Sequence, residues 1–200
     1  MTYIVCGFYT PSYKGWADGL VATLRQFHVP FDIVQVPELS DWETATLIKA
    51  RQIQEAMTRN PDSVVVYLDV DSTVHGDLSP LEHLSADVAV YMKSRVRRSG
   101  WHNGRYTMHA IARTIVFKPN AGARAFVAKW IEHSEGALLG DVDQTFFLTA
   151  MAASTGTSFQ PLDWKWSATR AQPGIITHDN ASKDTAKVTR IDRWLGRKRA

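Results

Sequence analysis

Short apolar runs alternate with amphipathic stretches over the first third of the chain. Apolar runs at Tyr3–Tyr9, Phe31–Val36 and Val64–Leu68 predict three buried strands. Apolar residues at helical spacing predict a helix between the first two strands. The capping box Ser40-x-x-Glu43 predicts a second helix that runs to about residue 59. This order of strand, helix, strand, helix and strand indicates a parallel sheet covered by helices.

The rest of the chain continues the mixture of strands and helices. A polar, basic segment over 93–108 contains Trp101 and two glycines, which predicts a long loop. We find no internal repeat and no low-complexity segment, so we expect residues 1–200 to form a single α/β domain. The other predicted elements are strands at Asp87–Met92, Arg113–Phe117 and Gly174–His178, a helix at Ala121–His133, and a helix that Asp143 opens.

Composition narrows the class of protein. The chain is 44% hydrophobic, which is typical of a globular protein, and its net charge of +3 with a pI near 9.0 favours an anionic partner. The basic segment 186–200 is expected to be a solvated tail. Cys6 is the single cysteine, so no internal disulfide is possible. The sequence shows neither a signal peptide nor an apolar run of about 20 residues, so we expect a cytoplasmic protein without a membrane span.

The strongest candidate for a functional site lies at the end of the third predicted strand. Asp69-Val70-Asp71 directly follows the buried run that begins at Val64. Ligands of open α/β sheets bind just beyond the carboxyl ends of the strands. Two carboxylates there suit a hard divalent cation such as Mn²⁺ or Mg²⁺, which would neutralise a phosphate-bearing ligand. An ordinary acidic turn after a buried strand is the alternative explanation.

Two enzyme families place such a motif after a buried strand. Asp69-Val70-Asp71-Ser72-Thr73 resembles the Asp-x-Asp-x-Thr motif of haloacid-dehalogenase-like phosphatases. That resemblance implies that Asp69 is a nucleophile and Asp71 a general acid or base in a Mg²⁺-dependent reaction. That family, however, usually carries the motif on its first strand.

The second resemblance is to GT-A-fold glycosyltransferases of the glycogenin-like type, and it covers most of the chain. Their fold is a single Rossmann-like domain with a mostly parallel central sheet flanked by helices. The similarity lies in the order of weak motifs rather than in any single one. The motifs are an apolar first strand with a short loop, Trp42 followed by Lys49, the strand before Asp69-Val70-Asp71, Asp143-Gln144, and Ile175-Ile176-Thr177-His178 with Lys183 after it.

The GT-A resemblance implies a metal-dependent transfer of a sugar from a nucleotide-diphosphate sugar, with a UDP-sugar favoured, to a hydroxyl acceptor. His178 would complete a metal site with Asp69 and Asp71, although Asp179-Asn180 departs from the family's usual ending. The residues that would bind the donor are Phe8, Tyr9, Thr10, Tyr13, Lys49, Asp69, Val70 and Lys183.

The resemblance also suggests residues for the chemical step and for the acceptor. Asp143 would act as a general base or as electrostatic support, Gln144 would orient sugar hydroxyls, and Asp141 is an alternative to Asp143. An acid at a helix start also complements the helix dipole, which is a structural explanation for Asp143. The acceptor, an anionic glycan or a nucleic acid, would be recognised by Arg97, Arg98, Trp101 and His102.

A third hypothesis belongs to another class of protein. A module could keep this fold and bind nucleotide sugars or polyanions without turnover. Turnover of the donor distinguishes that module from an enzyme.

Overall fold

The first three predicted strands are present and pair in parallel. The computed structural model describes residues 2–39, 47–97, 105–135, 143–179 and 181, with only the backbone of 95–97 and 105–107. Strand β1 pairs with both β2 and β3, and helices α1 and α2 lie between them in the sequence. The capping box at Ser40 lies outside the described residues, and the described helix begins later than predicted. The elements are β1 (Thr2–Tyr9), α1 (Lys14–Gln26), β2 (Phe31–Gln35), α2 (Lys49–Arg59) and β3 (Ser63–Leu68).

The second half of the chain extends this sheet to six strands. Their order is β2-β1-β3-β6-β5-β7, and three of the five pairings are parallel. Only the two pairings that join β6 to β3 and to β5 are antiparallel. The prediction of a mostly parallel central sheet flanked by helices is therefore confirmed. The elements are β4 (Ser72–Val74), β5 (Val88–Arg97), β6 (Arg105–Phe117), α3 (Ala121–Ser134), α4 (Asp143–Ala153) and β7 (Phe159–Leu162).

From Val64 to Leu68, strand β3 is an uninterrupted apolar or aromatic run because it contributes to two cores. Val65 and Tyr67 belong to the cluster that packs under helices α2, α3 and α4. Val64, Val66 and Leu68 belong to the cluster on the opposite face, against α1. Successive side chains of a strand point to opposite faces, so a strand covered on both sides has no polar positions to alternate with.

The prediction of a long loop is wrong over 93–97 and 105–108, whereas 98–104 lie outside the described residues. Strand β5 continues to Arg97 and β6 already begins at Arg105, and their pairing reaches Arg97 opposite Arg105. The segment is rich in polar and basic residues, and a strand can carry such residues on one face when that face is not covered. We interpreted that polarity as a loop because the segment lacks a continuous apolar run.

Only one strand of a second, small sheet was predicted, the one that ends at His178; the other two were missed because they are three and two residues long. It consists of β4, β8 (Ala168–Thr169) and β9 (Ile176–His178), in the order β4-β9-β8. Ser72 on β4 lies opposite His178 on β9. The small sheet thereby fixes the end of β9 beside the segment that follows Asp71.

The turn before β9 should not tolerate a larger residue at Gly174. A Cβ there would lie 2.5 Å from the carbonyl oxygen of Lys165 and 2.8 Å from its Cα. Because these are backbone atoms, we expect Gly174→Ala to lower the free energy of unfolding by about 1–3 kcal/mol in urea denaturation. Gly19→Ala is the control, since nothing lies within 4 Å of a Cβ at that helical position. Gly19→Ala should leave the free energy of unfolding unchanged or raise it slightly. An equal loss of unfolding free energy in both variants would contradict the close packing at Gly174.

Candidate active site

The candidate site lies where β3 ends, at the carboxyl edge of the parallel strands. The amide of Asp69 donates to the carbonyl of Arg113 on β6 at 3.0 Å, which continues the strand pairing to the first carboxylate. The Tyr67 hydroxyl donates to Oδ1 of Asp69 at 2.8 Å. A buried tyrosine on β3 thus fixes the orientation of the first aspartate of the motif.

Lys49 connects three separate parts of the chain at this edge. Its Nζ lies 2.6 Å from Oδ2 of Asp143 and 3.0 Å from Oδ1 of Asp69. It also donates to the carbonyl of Ala112 on β6 at 3.0 Å, and it lies 5.2 Å from the centre of the Tyr67 ring. The Lys49 side chain is only 8% exposed. The first turn of α2, the end of β3 and the first turn of α4 therefore meet at one ammonium group.

Burial and neighbouring charges shift the pKa values of Lys49 and Asp69 in opposite directions. Burial by itself lowers the pKa of the Lys49 amine, but the carboxylates of Asp143 and Asp69 raise it above its ordinary value. Burial raises the pKa of Asp69, and Lys49 counteracts that effect. The pKa of Tyr67 is raised well above its usual value by burial and by the Asp69 carboxylate. The Lys49 ammonium therefore opposes the effect of burial on Asp69, whose pKa nevertheless remains above its usual value.

Asp71 is in a different electrostatic environment from Asp69. Burial, followed by repulsion from the Asp69 carboxylate, raises the pKa of Asp71 to about 7. Its Oδ2 accepts a hydrogen bond from the amide of Ala181 at 3.2 Å. Among the described residues, no lysine or arginine forms an ion pair with Asp71. Its negative charge is therefore less well compensated than that of Asp69.

His178 lies at the end of β9, as predicted, but its ring is bonded to hydroxyl groups. Nδ1 lies 2.9 Å from Oγ of Ser72, and Nε2 lies 2.7 Å from Oγ1 of Thr114. The side chain is 1% exposed, and burial lowers the pKa of His178 well below its usual value. The structure thus places a neutral imidazole next to the segment after Asp71, without turning either nitrogen toward the two aspartates.

Solved structures with a similar fold include several glycosyltransferases. One, involved in glycosylating the major capsid of PBCV-1, superposes with a TM-score of 0.67 at 11% identity, covering 90% of this chain and 94% of that one. The galactosyltransferase LgtC, solved with donor and acceptor sugar analogues, superposes with a TM-score of 0.55 at 10% identity. The match covers 89% of this chain and 87% of LgtC. GlyE of Streptococcus pneumoniae TIGR4 superposes with a TM-score of 0.54 at 16% identity, covering 89% of this chain and 54% of GlyE.

The chain has the GT-A fold. No family model matches the sequence, and a search of curated proteins finds no match. Because the identities are so low, the likeness concerns the fold, and the site must be judged by its own residues. None of the helices in the described parts of the chain is long and apolar enough to cross a membrane.

Within this GT-A fold, the carboxylates of Asp69 and Asp71 are suitable ligands for a divalent cation. Repulsion between them contributes to the raised pKa of Asp71, and a cation between them would remove that repulsion. Over the described ranges, however, no group of three or more His, Cys, Asp or Glu residues is arranged to hold a metal. Two protein carboxylates would thus leave several coordination positions to water and to ligand oxygens. The role of His178 as a third ligand stays a prediction.

The residues predicted to bind the nucleotide base lie at the end of β1 and in the turn after it. Phe8 and Tyr9 end the strand, and Tyr13 ends a 3₁₀ turn that leads directly into α1. The Phe8 ring lies 6.4 Å from the Tyr67 ring, on the same side as Lys49. Thr10 is buried, and its hydroxyl lies 3.0 Å from that of Ser12. The turn therefore lies beside the carboxylates, which are next to β1 in the sheet.

Several residues predicted for the site lie elsewhere in the fold or outside the described ranges of the chain. Val70 is buried in the core against α1, and Gln144 is half-buried in the first turn of α4. Only the backbone of Arg97 is described. The predicted residues outside the described ranges are Asp141, Lys183, Arg98, Trp101, His102, Trp42 and the tail over 186–200.

Sequence reasoning missed the residues that support the site. Tyr67 is hidden within an apolar run, although its hydroxyl is the one polar group there and was a usable signal. Ser72 looked like an ordinary residue of the segment after Asp71, and Thr114 like an ordinary strand residue. Arg113 was missed as well; burial lowers the pKa of its guanidinium, and Asp69 and Asp71 counteract that effect. It donates to the Ser167 carbonyl at 2.6 Å, so it adds positive charge near the carboxylates from a fixed position.

Proposed function

We propose that this protein is a glycosyltransferase that moves a sugar from a nucleotide-diphosphate sugar to a hydroxyl acceptor. The observation that carries this proposal is the ion-paired cluster of Lys49, Asp69 and Asp143 at the carboxyl edge of a GT-A sheet. The cluster joins the end of the central strand to the helix that begins at Asp143. The resemblance to solved glycosyltransferases supports the same reaction class.

The leaving group of such a transfer is a nucleoside diphosphate, on which negative charge develops. Asp69 and Asp71 would hold Mn²⁺ or Mg²⁺ at the edge of the sheet. When bound, that ion would act as a Lewis acid on the diphosphate. Arg113 adds a fixed positive charge on the neighbouring strand. Lys183 remains a further candidate for contact with the diphosphate.

The donor base is proposed to lie against the end of β1. Phe8, Tyr9, Thr10 and Tyr13 provide aromatic surface and a hydroxyl beside the carboxylates. A UDP-sugar is the favoured donor on the GT-A resemblance. This placement puts the base next to β1 and the diphosphate next to β3, which are neighbouring strands.

Asp143 is proposed to lie beside the sugar carbon at which the transfer takes place. Lys49 lies 2.6 Å from its Oδ2 and so holds the carboxylate in a fixed orientation. An ionised carboxylate there would stabilise positive charge that develops on the sugar, or accept the proton of the acceptor hydroxyl. Gln144, which follows it in α4, would bind sugar hydroxyls.

The proposal is tested by thermal unfolding with UDP, GDP and several nucleotide sugars, each with Mn²⁺ or with EDTA. A ligand that binds the folded protein raises the unfolding temperature by mass action. We expect a metal-dependent rise with one nucleotide, together with slow hydrolysis of the matching nucleotide sugar. Metal-dependent binding without any turnover would instead indicate a binding module. Phosphate release from a simple phosphate ester, without nucleotide binding, would indicate the phosphatase alternative.

Asp143→Asn should separate chemistry from donor binding. We expect turnover to fall by about 10²-fold or more, because the amide lacks the negative charge, while nucleotide affinity changes little. The measurement is the rate of sugar release at saturating donor, alongside nucleotide binding. The control is Asp163→Asn, since Asp163 is an exposed aspartate that caps a 3₁₀ turn. Full activity of Asp143→Asn would transfer the role to Asp141.

A further inference from the structure

A carboxylate lies over the turn that follows β1. Glu38 comes shortly after β2 in the sequence and is an exposed residue. Its Oε2 accepts a hydrogen bond from the Ser12 amide at 3.0 Å, and its Oε1 accepts one from the Ser12 hydroxyl at 2.8 Å. The Ser12 hydroxyl itself lies 3.0 Å from that of Thr10. Both carboxylate oxygens are therefore held in place by the turn at which the donor base is proposed to bind.

The position of Glu38 at the edge of the sheet follows from the order of the strands. The amide of Val36 donates to the carbonyl of Tyr9 at 2.9 Å, so β2 and β1 reach the carboxyl edge together. Strand β1 lies between β2 and β3. With neighbouring strands about 4.8 Å apart, β2 and β3 are separated by about 10 Å. Glu38 therefore approaches the turn from the β2 side, whereas Asp69 and Asp71 lie at the end of β3.

The charge of Glu38 indicates which part of a nucleotide it could contact. Hydrogen bonds from Ser12 hold the pKa of Glu38 below its ordinary value, so the carboxylate is negative at neutral pH. In the part of the chain that the structure describes, no lysine or arginine forms an ion pair with it. A negative group without a compensating cation repels phosphate oxygens. Because an ionised carboxylate only accepts hydrogen bonds, Glu38 suits an uncharged part of the nucleotide that donates one.

The contacts with Ser12 leave Glu38 able to bind a ligand as well. The two oxygens of a carboxylate accept about four hydrogen bonds in all, and the two from Ser12 occupy only some of these positions. The side chain can thus keep its orientation while it accepts from a bound nucleotide. Fixing the acceptor in advance lowers the entropy that is lost on binding.

We propose that Glu38 recognises the base of the donor nucleotide and selects uracil or guanine over cytosine or adenine. Uracil N3 and guanine N1 carry a hydrogen, which they can donate to the carboxylate. Cytosine and adenine have a donor only in the neighbouring amino group, so a carboxylate that bonds to it lies beside the lone pair of the ring nitrogen. A site built to bind an N–H group rejects an analogue that lacks it, because the acceptor is left unpaired. This inference rests on the proposed function and deepens it by naming the class of donor base.

The ribose fits Glu38 less well than the base does. In dinucleotide-binding folds an acidic residue at the end of the second strand binds a ribose hydroxyl, and the phosphates lie at the turn after the first strand. Here the diphosphate is proposed to lie at β3, beside Asp69 and Asp71. The nucleotide is thereby displaced by one strand, so the ribose lies over β1 and the base reaches the β2 side.

The test is isothermal titration calorimetry of the full chain with UDP, CDP, GDP, ADP and 2′-deoxy-UDP in Mn²⁺. UDP and CDP form the sharpest pair, since their bases differ only at N3 and at the neighbouring C4 substituent. We expect UDP to bind at least about tenfold more tightly than CDP, or GDP than ADP, as a hydrogen bond to a charged group allows. In Glu38→Gln this ratio should fall at least about fivefold, because an amide can donate as well as accept. The affinity for CDP or ADP should change little.

The matched control is Glu132→Gln, since Glu132 is an exposed glutamate on α3 that pairs with Lys129 at 2.9 Å. Its ratio of affinities should stay within about twofold of that of the unchanged protein. Ser12→Ala is a second variant, which keeps the charge of Glu38 but removes the hydroxyl that orients it. Ser12→Ala should lower the ratio in the same direction as Glu38→Gln.

Three results would overturn the role of Glu38. The first is a ratio that is the same in Glu38→Gln and in the control, and the second is a preference of the unchanged protein for CDP or ADP. The third is a loss that is equal for all the nucleotides, or that changes only the contrast between UDP and 2′-deoxy-UDP, since these indicate a damaged turn or a ribose contact. Binding without any preference among bases counts against Glu38 alone, whereas no binding of any nucleotide removes the proposed transferase function with it.

Discussion

Replacing Lys49 with methionine is expected to lower the free energy of unfolding by about 3–5 kcal/mol. The substitution keeps the bulk of the side chain but leaves Asp69 and Asp143 near each other without their shared cation. Removing one partner of a buried ion pair costs this much because the remaining charge stays buried and uncompensated. Urea denaturation at neutral pH measures the loss. Sugar transfer should fall with it, since the same lysine orients both carboxylates.

The control for Lys49 lies on the same helix. Arg51 pairs with Glu135 at 2.9 Å, but both side chains are more than half exposed. Arg51→Met should therefore change stability by no more than about 1 kcal/mol. Adding Asp143→Asn to Lys49→Met should recover part of the lost stability, because one buried charge is then removed. Equal losses for Lys49→Met and Arg51→Met would contradict the buried cluster.

Replacing Asp71 with asparagine is expected to abolish the metal-dependent part of nucleotide binding. At a nucleotide concentration of about 100 times the dissociation constant, binding stabilises the folded protein by about 2.7 kcal/mol. We expect the unchanged protein to show this gain with Mn²⁺ and the variant to show almost none. Without ligand, the variant should be as stable as the original or more so, since Asp71 is repelled by Asp69.

The measurement for Asp71→Asn is thermal unfolding with nucleotide, in Mn²⁺ and in EDTA. Asp77→Asn is the matched control, because Asp77 is an exposed aspartate of the same segment whose carboxylate bonds only to Ser79 among the described residues. The control should keep the full metal-dependent gain. Unaltered affinity in Asp71→Asn would remove the metal role that we assign to this residue.

The sequence predicted the elements that have a continuous apolar or helical pattern. Strand β3 was found because burial on both faces requires an uninterrupted apolar run, and α3 because its buried stripe repeats at helical spacing. Strands of two or three residues, such as β4 and β8, show no such pattern. The outer parts of β5 and β6 were missed because their sequence is polar and lacks a continuous apolar run.

The candidate site was predicted only in part. Asp69 and Asp71 follow from their place at the end of a buried strand, since that place is visible in the sequence. The contacts of Lys49 are not visible in the sequence, because a lysine in an amphipathic helix is by default on the solvent side. Its burial depends on how α2 packs against β3 and α4. The hydroxyl partners of His178 likewise depend on the register of β9 against β4.

By itself, then, the sequence determined the order of strands and helices over the first third of the chain, and the two carboxylates at the edge of the sheet. These features depend on local periodicity and on the burial of one strand. Only the tertiary structure decided that Lys49 pairs with both Asp69 and Asp143, and that His178 is enclosed by Ser72 and Thr114. The reason is physical: such contacts join distant parts of the chain, and they are set by helix packing and strand register, which no local pattern encodes.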